Sequence, residues 1–422
     1  MGGLIAVKLL HAADLHIDSP LRGLERYPDA PVAAIRTATR RAMENLVQLA
    51  LAEAVDAVLL AGDIYDGDWR GYDTGLFFQR QLGLLAEAQI PVYLVSGNHD
   101  AESQISRNLT LPRNVHQFTT HQAEYAVDEK AGIAVHGQGY ASRAVTDNLA
   151  AQYPRALPGL FNIGLLHTAL DGRREGHAPY APCSVEQLAA LGYGYWALGH
   201  IHKREVVSDQ PHIVFSGNIQ GRHAREAGPK GCTLVTVESG TVSVEERHLD
   251  VVRWAHLQVD ASSANDLDDA CELVRRQLTE ERDRADGRLL AARVSVVGRS
   301  AAHTEVWRDH ERLTHEVRTI AFDLSDVWVE KVRPSTRPPI EDAAAGVEDG
   351  AELIDGLMRT ARELGADADA LRALIEKDPL WSKLPREARE ENHIGSGDPQ
   401  WRERLLEEAS DLLVSMLQER VR

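Results

Sequence analysis

Cysteine is scarce in this sequence of 422 residues. Its three cysteines, Cys183, Cys232 and Cys271, lie far apart and form no C-x-x-C pair. That number and spacing argue against a disulfide framework and against a cysteine-ligated zinc site. Long apolar runs are also lacking, since Leu4–Ala13 is interrupted by polar residues and fits a first buried strand better than a signal peptide. We therefore expect a cytoplasmic protein without a membrane span.

An excess of positive charge is lacking as well. Lys and Arg number 46 against 64 Asp and Glu, so the net charge is −18, which at first argues against a nucleic-acid partner. Half of this excess lies in residues 341–422, which hold 11 Lys and Arg against 20 Asp and Glu. Some of the other carboxylates are candidate metal ligands, and bound divalent cations would invert the field around them. The net charge therefore neither supports nor excludes DNA.

The length favours two or three domains of about 100–200 residues each. Residues 1–250 alternate short runs of Val, Ile and Leu with amphipathic stretches, which predicts an α/β fold, specifically a two-sheet αββα sandwich with its helices outside. Residues 251–333 are predicted to form a small α+β capping domain. The predicted strands of the first domain are Val7–Ala12, Val58–Gly62, Pro91–Ser96, Ile133–Val135, Ile163–Leu166, Trp196–Leu198, Ile213–Phe215 and Thr233–Val237, and its main helices are Ile35–Glu53 and Thr74–Ala88.

Proline separates these domains from a helical tail. Three prolines predict a Pro-rich linker at residues 334–349, because proline disfavours both helix and central strand. Residues 350–422 are then predicted to be helical, and the last helix begins with Asp398 as N-cap and Pro399 at its first position. Its apolar stripe must be buried, either on a partner protein or against the Leu353–Leu364 helix as a hairpin. The stripe comprises Trp401, Leu405, Leu412, Leu413, Met416 and Leu417.

Five polar motifs follow the ends of predicted strands, where α/β proteins gather reactive groups. Asp14 and His16 are two residues apart on an extended segment, so their side chains face the same side, and His200 and His202 are spaced in the same way. The five motifs are Asp14-Leu-His16, Gly62-Asp63-Ile-Tyr-Asp66, Gly97-Asn98-His99-Asp100, His167, and Gly199-His200-Ile-His202.

The residue types in these motifs indicate a metal centre. Imidazoles, carboxylates and one amide, with no thiolate, suit Mn²⁺, Fe²⁺ or Zn²⁺ better than Ca²⁺. One ion uses three or four such groups, so seven predict two ions, about 3.5–4 Å apart, that clamp the attacking and departing oxygens of a phosphoryl group. Each motif alone fits a turn or a solvated strand end, and only the ordered set is specific. The seven candidate ligands are Asp14, His16, Asp63, Asn98, His167, His200 and His202.

The ordered set D-x-H, GDxxD, GNHD, H and GHxH resembles the calcineurin-like metallophosphoesterase superfamily. The segments around His11–Leu24, Gly62–Trp69, Leu166–Thr168 and Tyr195–His200 are similar to SbcD-type DNA-repair exonucleases, especially their YhaO-like bacterial branch. This resemblance implies a DNA nuclease with two divalent ions, with Mn²⁺ as the expected metal. The activity that the resemblance implies is that of an exonuclease, with endonuclease activity on single strands as a further option. The implied partners are DNA and an SMC-like ATPase of the SbcC or YhaN type, and a homodimer is left open.

The resemblance also implies a role for each motif residue. Metal one is held by Asp14, His16 and His202, metal two by Asn98, His167 and His200, and Asp63 bridges the two. His99 corresponds to the catalytic histidine of the family, which protonates the leaving oxygen or stabilises the transition state. Asp66 stands where many eukaryotic relatives have histidine, and we expect Asp66 and Asp100 to orient His99 or a ligand.

Two interpretations stay open. A basic cluster after the last motif either contacts substrate phosphates or is a solvated loop, and it comprises Arg222, His223, Arg225 and Lys230. Tyr65 either stacks on a base or packs under the site, and packing is favoured. The competing function is a phosphatase or a phosphodiesterase for small molecules or cyclic nucleotides on the same scaffold. The capping domain and the tail argue against it, because minimal phosphatases need neither.

Overall fold

The computed structural model of the protein describes residues 6–20, 30–66, 73–102, 110–172, 179–339, 351–385, 389 and 395–421. The strands are β1 (Val7–Ala12), β2 (Ala57–Ala61), β3 (Val92–Val95), β4 (Val115–Gln117), β5 (Glu124–Asp128), β6 (Ile133–Gly137), β7 (Phe161–His167), β8 (Tyr195–Gly199), β9 (Glu205–Asp209), β10 (His212–Phe215), β11 (Gly231–Glu238), β12 (Thr241–His248), β13 (Val252–Asp260), β14 (Leu289–Arg299) and β15 (Val327–Arg337). The helices are α1 (Val32–Arg36), α2 (Ala38–Ala52), α3 (Asp73–Glu87), α4 (Asn98–Glu102), α5 (Val185–Ala189), α6 (Leu267–Arg284), α7 (His303–Arg308), α8 (His310–Leu324), α9 (Ala351–Ala366), α10 (Ala368–Lys377), α11 (Pro379–Lys383) and α12 (Pro399–Val421).

Two six-stranded sheets form the framework that carries the predicted motifs. Their strand orders are β12-β11-β1-β2-β3-β4 and β5-β6-β7-β8-β10-β9. Strands β1 to β4 are parallel to one another, as are β6, β7, β8 and β10, whereas the antiparallel pairs lie toward the sheet edges. The sheets are therefore mixed, and their parallel centres have both faces covered, as expected for buried strands.

Alternation of side chains along each strand builds three apolar layers. Leu9 and Leu59 belong to a core that also contains Ile163 and Val214 of the second sheet, so this core lies between the sheets. Their neighbours in sequence, Leu10 among them, point the other way and pack with α2 and α3. The outer face of the second sheet buries another cluster, which includes Trp196 and Phe215. This arrangement is the predicted αββα sandwich.

Some predicted element boundaries are wrong. Thr37 separates α1 from α2 within the predicted helix Ile35–Glu53. In the second predicted domain Asp309 separates α7 from α8, because its carboxylate accepts the N–H of Arg312 at 3.1 Å and so caps α8.

The predicted linker is wrong for Pro334–Arg337, which continue β15. This strand lies at the edge of the three-stranded sheet β13-β14-β15, where a missing proline N–H removes no internal ladder bond. Of the remaining linker residues, 340–349 lie outside the described residues. In the tail, α12 starts at Pro399 as predicted and packs against α9, as in the hairpin alternative. The structure describes the side chains of three of the six residues of its predicted stripe, Trp401, Leu405 and Leu413, and Leu413 is exposed.

The described chain forms two compact units whose segments alternate along the sequence. The first holds the residues up to His256 together with Thr279–Arg293 and Leu324–Glu330, and it contains both six-stranded sheets. The second holds Leu257–Leu278, Val294–Asp323 and the residues from Lys331 onward. The predicted boundaries at 250 and 333 treat each domain as one continuous segment. They are limits of another kind than these units, and they stay predictions. Among the described helices, none has the length and apolar character needed to span a bilayer.

Candidate metal centre

The predicted ligands lie at the carboxyl ends of neighbouring parallel strands. Strands β1, β2 and β3 are adjacent in one sheet, and β7 and β8 are adjacent in the other. Since parallel strands end at the same edge, the loops that follow them meet there. All seven side chains are buried. They are Asp14 and His16 after β1, Asp63 after β2, Asn98 in the first turn of α4, His167 at the end of β7, and His200 and His202 after β8.

Four of these residues have backbone conformations that L-amino acids rarely adopt. The angle φ is +50° at Asp14, +43° at His16, +49° at Asp63 and +99° at His200. Such conformations cost about 1–3 kcal/mol each and persist where surrounding contacts impose them, often at functional sites. Here the N–H of Asp14 donates to Gly62 O at 3.0 Å, and the N–H of His16 donates to Asp63 O at 3.1 Å. These bonds tie the loops after β1 and β2 together.

Two motif glycines are required because ligand atoms occupy the space of a side chain. A Cβ at Gly97 would lie 2.2 Å from Asp63 Oδ1, and a Cβ at Gly62 would lie 2.6 Å from His167 Nδ1. Gly62 also has a φ of +90°, which strains any other residue. The glycines of the GDxxD and GNHD motifs therefore let the backbone approach the ligands closely.

The ligand atoms form two groups that share a carboxylate. In each group the nearest nitrogen and oxygen atoms lie within 4.8 Å of one another. The first group is Asp14, His16 and His202, and the second is Asp14, Asp63 and His167. Asn98 joins the second group, since its Oδ1 is 3.1 Å from His167 Nε2. The ring of His200 lies beside that of His167, with centroids 5.1 Å apart, although His200 is in neither group.

The carboxylate common to the two groups is not the one that was predicted to bridge the ions. Asp14 is common to the two groups, while the resemblance assigns the bridge to Asp63. The N–H of His200 donates to both Asp14 oxygens, at 3.2 and 3.1 Å, which holds this carboxylate in place. Which carboxylate bridges the ions stays a prediction, and the proximity of all these groups agrees with a binuclear site.

Hydrogen bonds set the imidazoles in a form that can bind a metal. His202 Nδ1 donates to Glu226 Oε1 at 2.8 Å, and His167 Nδ1 donates to Ala61 O at 2.9 Å. Each ring therefore presents the lone pair of Nε2 to the site. His167 Nε2 then faces Asp63 Oδ2 at 3.5 Å, and His202 Nε2 lies 3.2 Å from His16 Nε2. Electron pairs that face one another at such distances are an arrangement that a cation stabilises.

Buried charge also makes divalent cations suitable here. Burial raises the pKa of Asp14 well above its ordinary value, and the nearby Asp63 raises it further. Burial likewise raises the pKa of Asp63 to about 6, and it lowers the pKa of His16 well below its usual range. A cation offsets the cost of two buried carboxylates and binds neutral imidazole directly. The His and Asp cluster is therefore able to bind divalent metal ions.

His99 is placed beside this cluster and is more accessible than the ligands. Its side chain is 31% exposed, and its Nδ1 lies 2.9 Å from Asp66 Oδ1. The pKa of His99 is raised, because its hydrogen bond to Asp66 and the charge of Asp63 outweigh burial. Although burial opposes the effect, bonds from His99 and Ser19 and the charge of Arg222 lower the pKa of Asp66 to about 2. His99 is thus held by an ionised partner and can carry a proton.

His16, Asp66 and His99 also bring ligand atoms within 4.8 Å of one another. We do not assign an ion to this group, because Asp66 already accepts hydrogen bonds from His99 and from Ser19 Oγ. Arg222 Nη1 lies 3.3 Å from its second oxygen, and this fixed cation would repel a metal ion.

Comparison with known families agrees with this geometry. Residues 7–204 match the family model described as calcineurin-like phosphoesterase. Residues 7–204 therefore resemble calcineurin-like phosphoesterase domains. Residues 254–337 match a second family model, described as the middle domain of metallophosphoesterase YhaO. The predicted family resemblance, the fold class and the enzyme class, a phosphoester hydrolase, are confirmed at the level of this domain.

A named relative extends the match beyond the first domain. Over 268 residues the chain is 38% identical to a protein of Bacillus subtilis (strain 168) called "Uncharacterized metallophosphoesterase YhaO". The match covers 63% of this chain and 65% of that relative, so the chain spans less than two thirds of the relative's length.

Two solved structures are more distant. A Thermus thermophilus protein is 16% identical, with a TM-score of 0.31 over 57% of this chain and 99% of that one. A dimetal phosphatase from Danio rerio is 12% identical, with a TM-score of 0.36 over 58% of this chain and 96% of that one. At these scores neither carries an argument about function.

The structure separates the predicted basic cluster of the phosphoesterase domain into different environments. Lys230 is buried, and its ammonium donates to His202 O at 2.8 Å. Neither open interpretation, phosphate contact or solvated loop, fits Lys230, because its charge points into the protein and supports the backbone of a ligand. Arg222 lies at the site but is paired with Glu226 at 2.8 Å and with Asp66. His223 and Arg225 are exposed and stay candidates for phosphate contacts.

Asp100 bonds to two backbone groups beside the centre, and its predicted role in orienting His99 or a ligand stays a prediction. One carboxylate oxygen accepts the N–H of Gly97 at 2.9 Å, and the other accepts the N–H of Tyr65 at 3.0 Å. Asp100 therefore joins the loop after β2 to the loop after β3. The ring of Tyr65 is buried edge-on against Phe78, with centroids 5.7 Å apart, which agrees with packing.

Glu226 is a site residue that the sequence analysis missed. Its carboxylate accepts from His202 Nδ1, from the side chain of Arg222 and, at 3.0 Å, from Asn218 Nδ2. Burial opposes ionisation, but these bonds and the Arg222 charge lower the pKa of Glu226 well below its ordinary value. An acidic residue within a basic cluster, Arg222-His-Ala-Arg-Glu226, was the available signal.

Glu226→Gln should weaken metal binding without removing a ligand. The neutral amide no longer balances Arg222 and no longer holds His202 in one tautomer, and losing such support typically costs about 10–100-fold in metal affinity. A Mn²⁺ titration against a competing chelating dye measures this change. Glu246→Gln, on β12 and 3.6 Å from His248, is the matched control and should bind as the parent does. Equal affinities of all three proteins would refute the role of Glu226.

Proposed function

We propose that this protein is a two-metal DNA nuclease that hydrolyses phosphodiester bonds in DNA repair. The observation that carries the proposal is the pair of ligand groups sharing Asp14, with His99 beside them on an ionised Asp66. Two ions lower the pKa of a water molecule and neutralise the oxygens of an in-line displacement. The proposed activity is that of an exonuclease, with cleavage within single strands as a second activity.

Each protein group has one task in this proposal. The buried carboxylates and the Nε2 atoms of His167 and His202 would hold the cations, while Glu226 and Ala61 O keep those imidazoles in the required tautomer. His99 is accessible and able to carry a proton, so it supplies that proton to the leaving oxygen. Asp66 orients His99 and favours its protonated form.

The choice of DNA and of Mn²⁺ rests on chemistry and resemblance. The oxygen and imidazole ligands, without thiolate, suit Mn²⁺. The SbcD-like motifs favour DNA, and the exposed cation of Arg225, next to Glu226 in the sequence, suits a phosphate backbone. The proposed partners are DNA and an SMC-like ATPase of the SbcC or YhaN type. A homodimer and a cytoplasmic location stay predictions.

The proposed ATPase contact is assigned to the acidic tail that contains α9 and α12. Because α12 already packs against α9, the pair offers a helical surface to a partner. A chain truncated after Pro339 should no longer co-purify with such an ATPase but should still hydrolyse a chromogenic phosphodiester. Loss of that hydrolysis would show that the tail belongs to the catalytic fold.

The decisive assay compares substrates in the presence of Mn²⁺. End-labelled single- and double-stranded DNA, methyl p-nitrophenyl phosphate and a cyclic nucleotide are incubated with the protein, and a chelator serves as blank. We expect DNA to be shortened, and His99→Ala, purified in parallel, excludes a contaminating nuclease. Intact DNA beside hydrolysed methyl p-nitrophenyl phosphate would refute the nuclease.

The alternative is a phosphatase or a phosphodiesterase for small molecules or cyclic nucleotides. It is favoured by one feature of the site: the metal ligands and His99 act on the phosphoryl group alone, so they do not themselves select a polymer. Rapid hydrolysis of the cyclic nucleotide, with DNA left intact, would establish this alternative.

A further inference from the structure

A cavity of about 360 Å³ lies next to the metal centre in the first compact unit. Its volume falls within the range of about 300–1,000 Å³ that is typical of small-molecule sites. Ile64 and Tyr65 form one side, and Ser96, Asp100 and Tyr140 form another. None of the described residues that line it belongs to the seven ligands, so this space is distinct from the ion positions.

The cavity is continuous in sequence with the reacting groups. Ile64 and Tyr65 directly follow Asp63, and Asp100 directly follows His99. Since consecutive Cα atoms are about 3.8 Å apart, these walls begin within one or two residues of the centre. Tyr140, another wall residue, donates its hydroxyl to His167 O, so the cavity and the second ligand group lie on either side of one side chain.

The walls combine aromatic rings with hydrogen-bonding side chains. Tyr65 packs edge-on against Phe78, and the Tyr140 hydroxyl donates to His167 O at 2.7 Å, so Tyr140 offers its ring rather than its hydroxyl. Gln117, Thr120 and His121 supply polar groups. Flat rings and a few polar groups are how proteins bind nucleobases.

The cavity offers no cation to a second phosphate. Among the described residues that line it there is no Lys or Arg, and both oxygens of Asp100 accept backbone N–H groups, from Gly97 and Tyr65. A buried phosphate here would meet no compensating positive charge, whereas a neutral planar base needs none. The ligand that fits is therefore uncharged, partly polar and aromatic.

We propose that this cavity receives one unpaired nucleobase of the nucleotide next to the scissile phosphate. The proposal rests on the proposed nuclease function and adds a preference for unpaired bases. A base in a duplex must leave its stack to enter such a pocket, so hydrolysis favours single strands and frayed ends.

The test uses oligonucleotides with a single abasic residue on one or the other side of the scissile phosphate. With the parent protein and Mn²⁺, removal of the base that occupies the cavity should lower kcat/KM by about tenfold or more, the usual effect of losing one stacked base. Removal of the base on the opposite side should have a smaller effect.

Ala141→Trp fills the cavity from its exposed rim. This variant should have a lower kcat/KM for the complete oligonucleotide than the parent. It should hydrolyse the complete and the abasic oligonucleotide with about the same kcat/KM, because no base enters the filled cavity. Thr120→Trp is a second filling variant if Ala141→Trp does not fold, and metal content confirms that each protein is intact. Ala52→Trp, exposed on α2, is the matched control and should keep the parent's abasic effect.

Two different failures are distinguishable. Suppose that DNA is hydrolysed, that the abasic residue has the same effect on either side of the scissile phosphate, and that Ala141→Trp does not change this effect. The base pocket is then refuted and the nuclease stands. If methyl p-nitrophenyl phosphate is hydrolysed and no DNA is, the proposed function fails, and the pocket proposal fails with it.

Discussion

His99→Ala should reduce phosphodiester hydrolysis by a factor of about 10²–10⁴ while the protein keeps its metal ions, because a general acid is lost but no ligand is. The Asp66 contact at 2.9 Å and the partial exposure of the His99 side chain place its imidazole for proton transfer. Single-turnover rates with saturating Mn²⁺, together with metal analysis of the same samples, measure both effects.

A matched control and a contrary outcome follow from the same geometry. His248→Ala removes a histidine of similar exposure, 40%, on β12 and should leave hydrolysis unchanged. If His99→Ala instead loses an ion, then His16, Asp66 and His99 form a metal site and the acid must be sought elsewhere.

Asp63→Asn should reduce the metal content from about two ions per chain to less than one and abolish hydrolysis. Asp63 Oδ2 lies 3.5 Å from His167 Nε2, and Asp63 Oδ1 accepts the N–H of His99 at 2.9 Å, so Asp63 joins the second ligand group to the catalytic loop. An amide has nearly the same shape but no charge to attract a divalent ion. Metal analysis after reconstitution with Mn²⁺ measures the stoichiometry. Asp56→Asn, at the opposite end of β2, is the matched control.

The same change should stabilise the metal-free protein. Burial raises the pKa of Asp63 from 3.8 to about 6, so the folded state binds this proton more tightly than the unfolded state does. The resulting destabilisation is fully present above about pH 6 and decreases as the pH falls. At pH 7, Asp63→Asn should therefore melt at a higher temperature than the metal-free parent, and added Mn²⁺ should raise its melting temperature less than it raises that of the parent.

The contrary outcome concerns the metal content. If Asp63→Asn retains two ions and full activity, the binuclear mechanism is refuted.

Much of the centre was predictable because each motif is local. Asp14 and His16 do lie in one ligand group, although the extended segment predicted for them is wrong, since their φ angles are +50° and +43°. The glycines before Asp63 and Asn98 indicate tight turns. Strand periodicity was equally informative, since β1 occupies the predicted Val7–Ala12. These features depend on backbone geometry over a few residues, which the sequence shows directly.

The supporting network was not predictable from sequence. Arg222 pairs with Asp66 across 156 positions, and Glu226 bonds to His202 across 24. Lys230 looked like a surface cation and is buried under His202. Such pairs depend on which loops meet at a sheet edge, and no local pattern encodes that meeting.

The sequence by itself determined the ligand types, their positions at strand ends and the αββα layering, because these follow from residue chemistry and from the two-residue period of a strand. Only the tertiary structure decided which ligands share an ion, which nitrogen of His167 and His202 faces the site, and that Asp66 holds His99. It also brought Ile64 and Tyr65 to Tyr140 around the adjoining cavity. The physical reason is that ion pairs, tautomers and cavities depend on distances between segments far apart in the chain, and these distances exist only once the two sheets have packed.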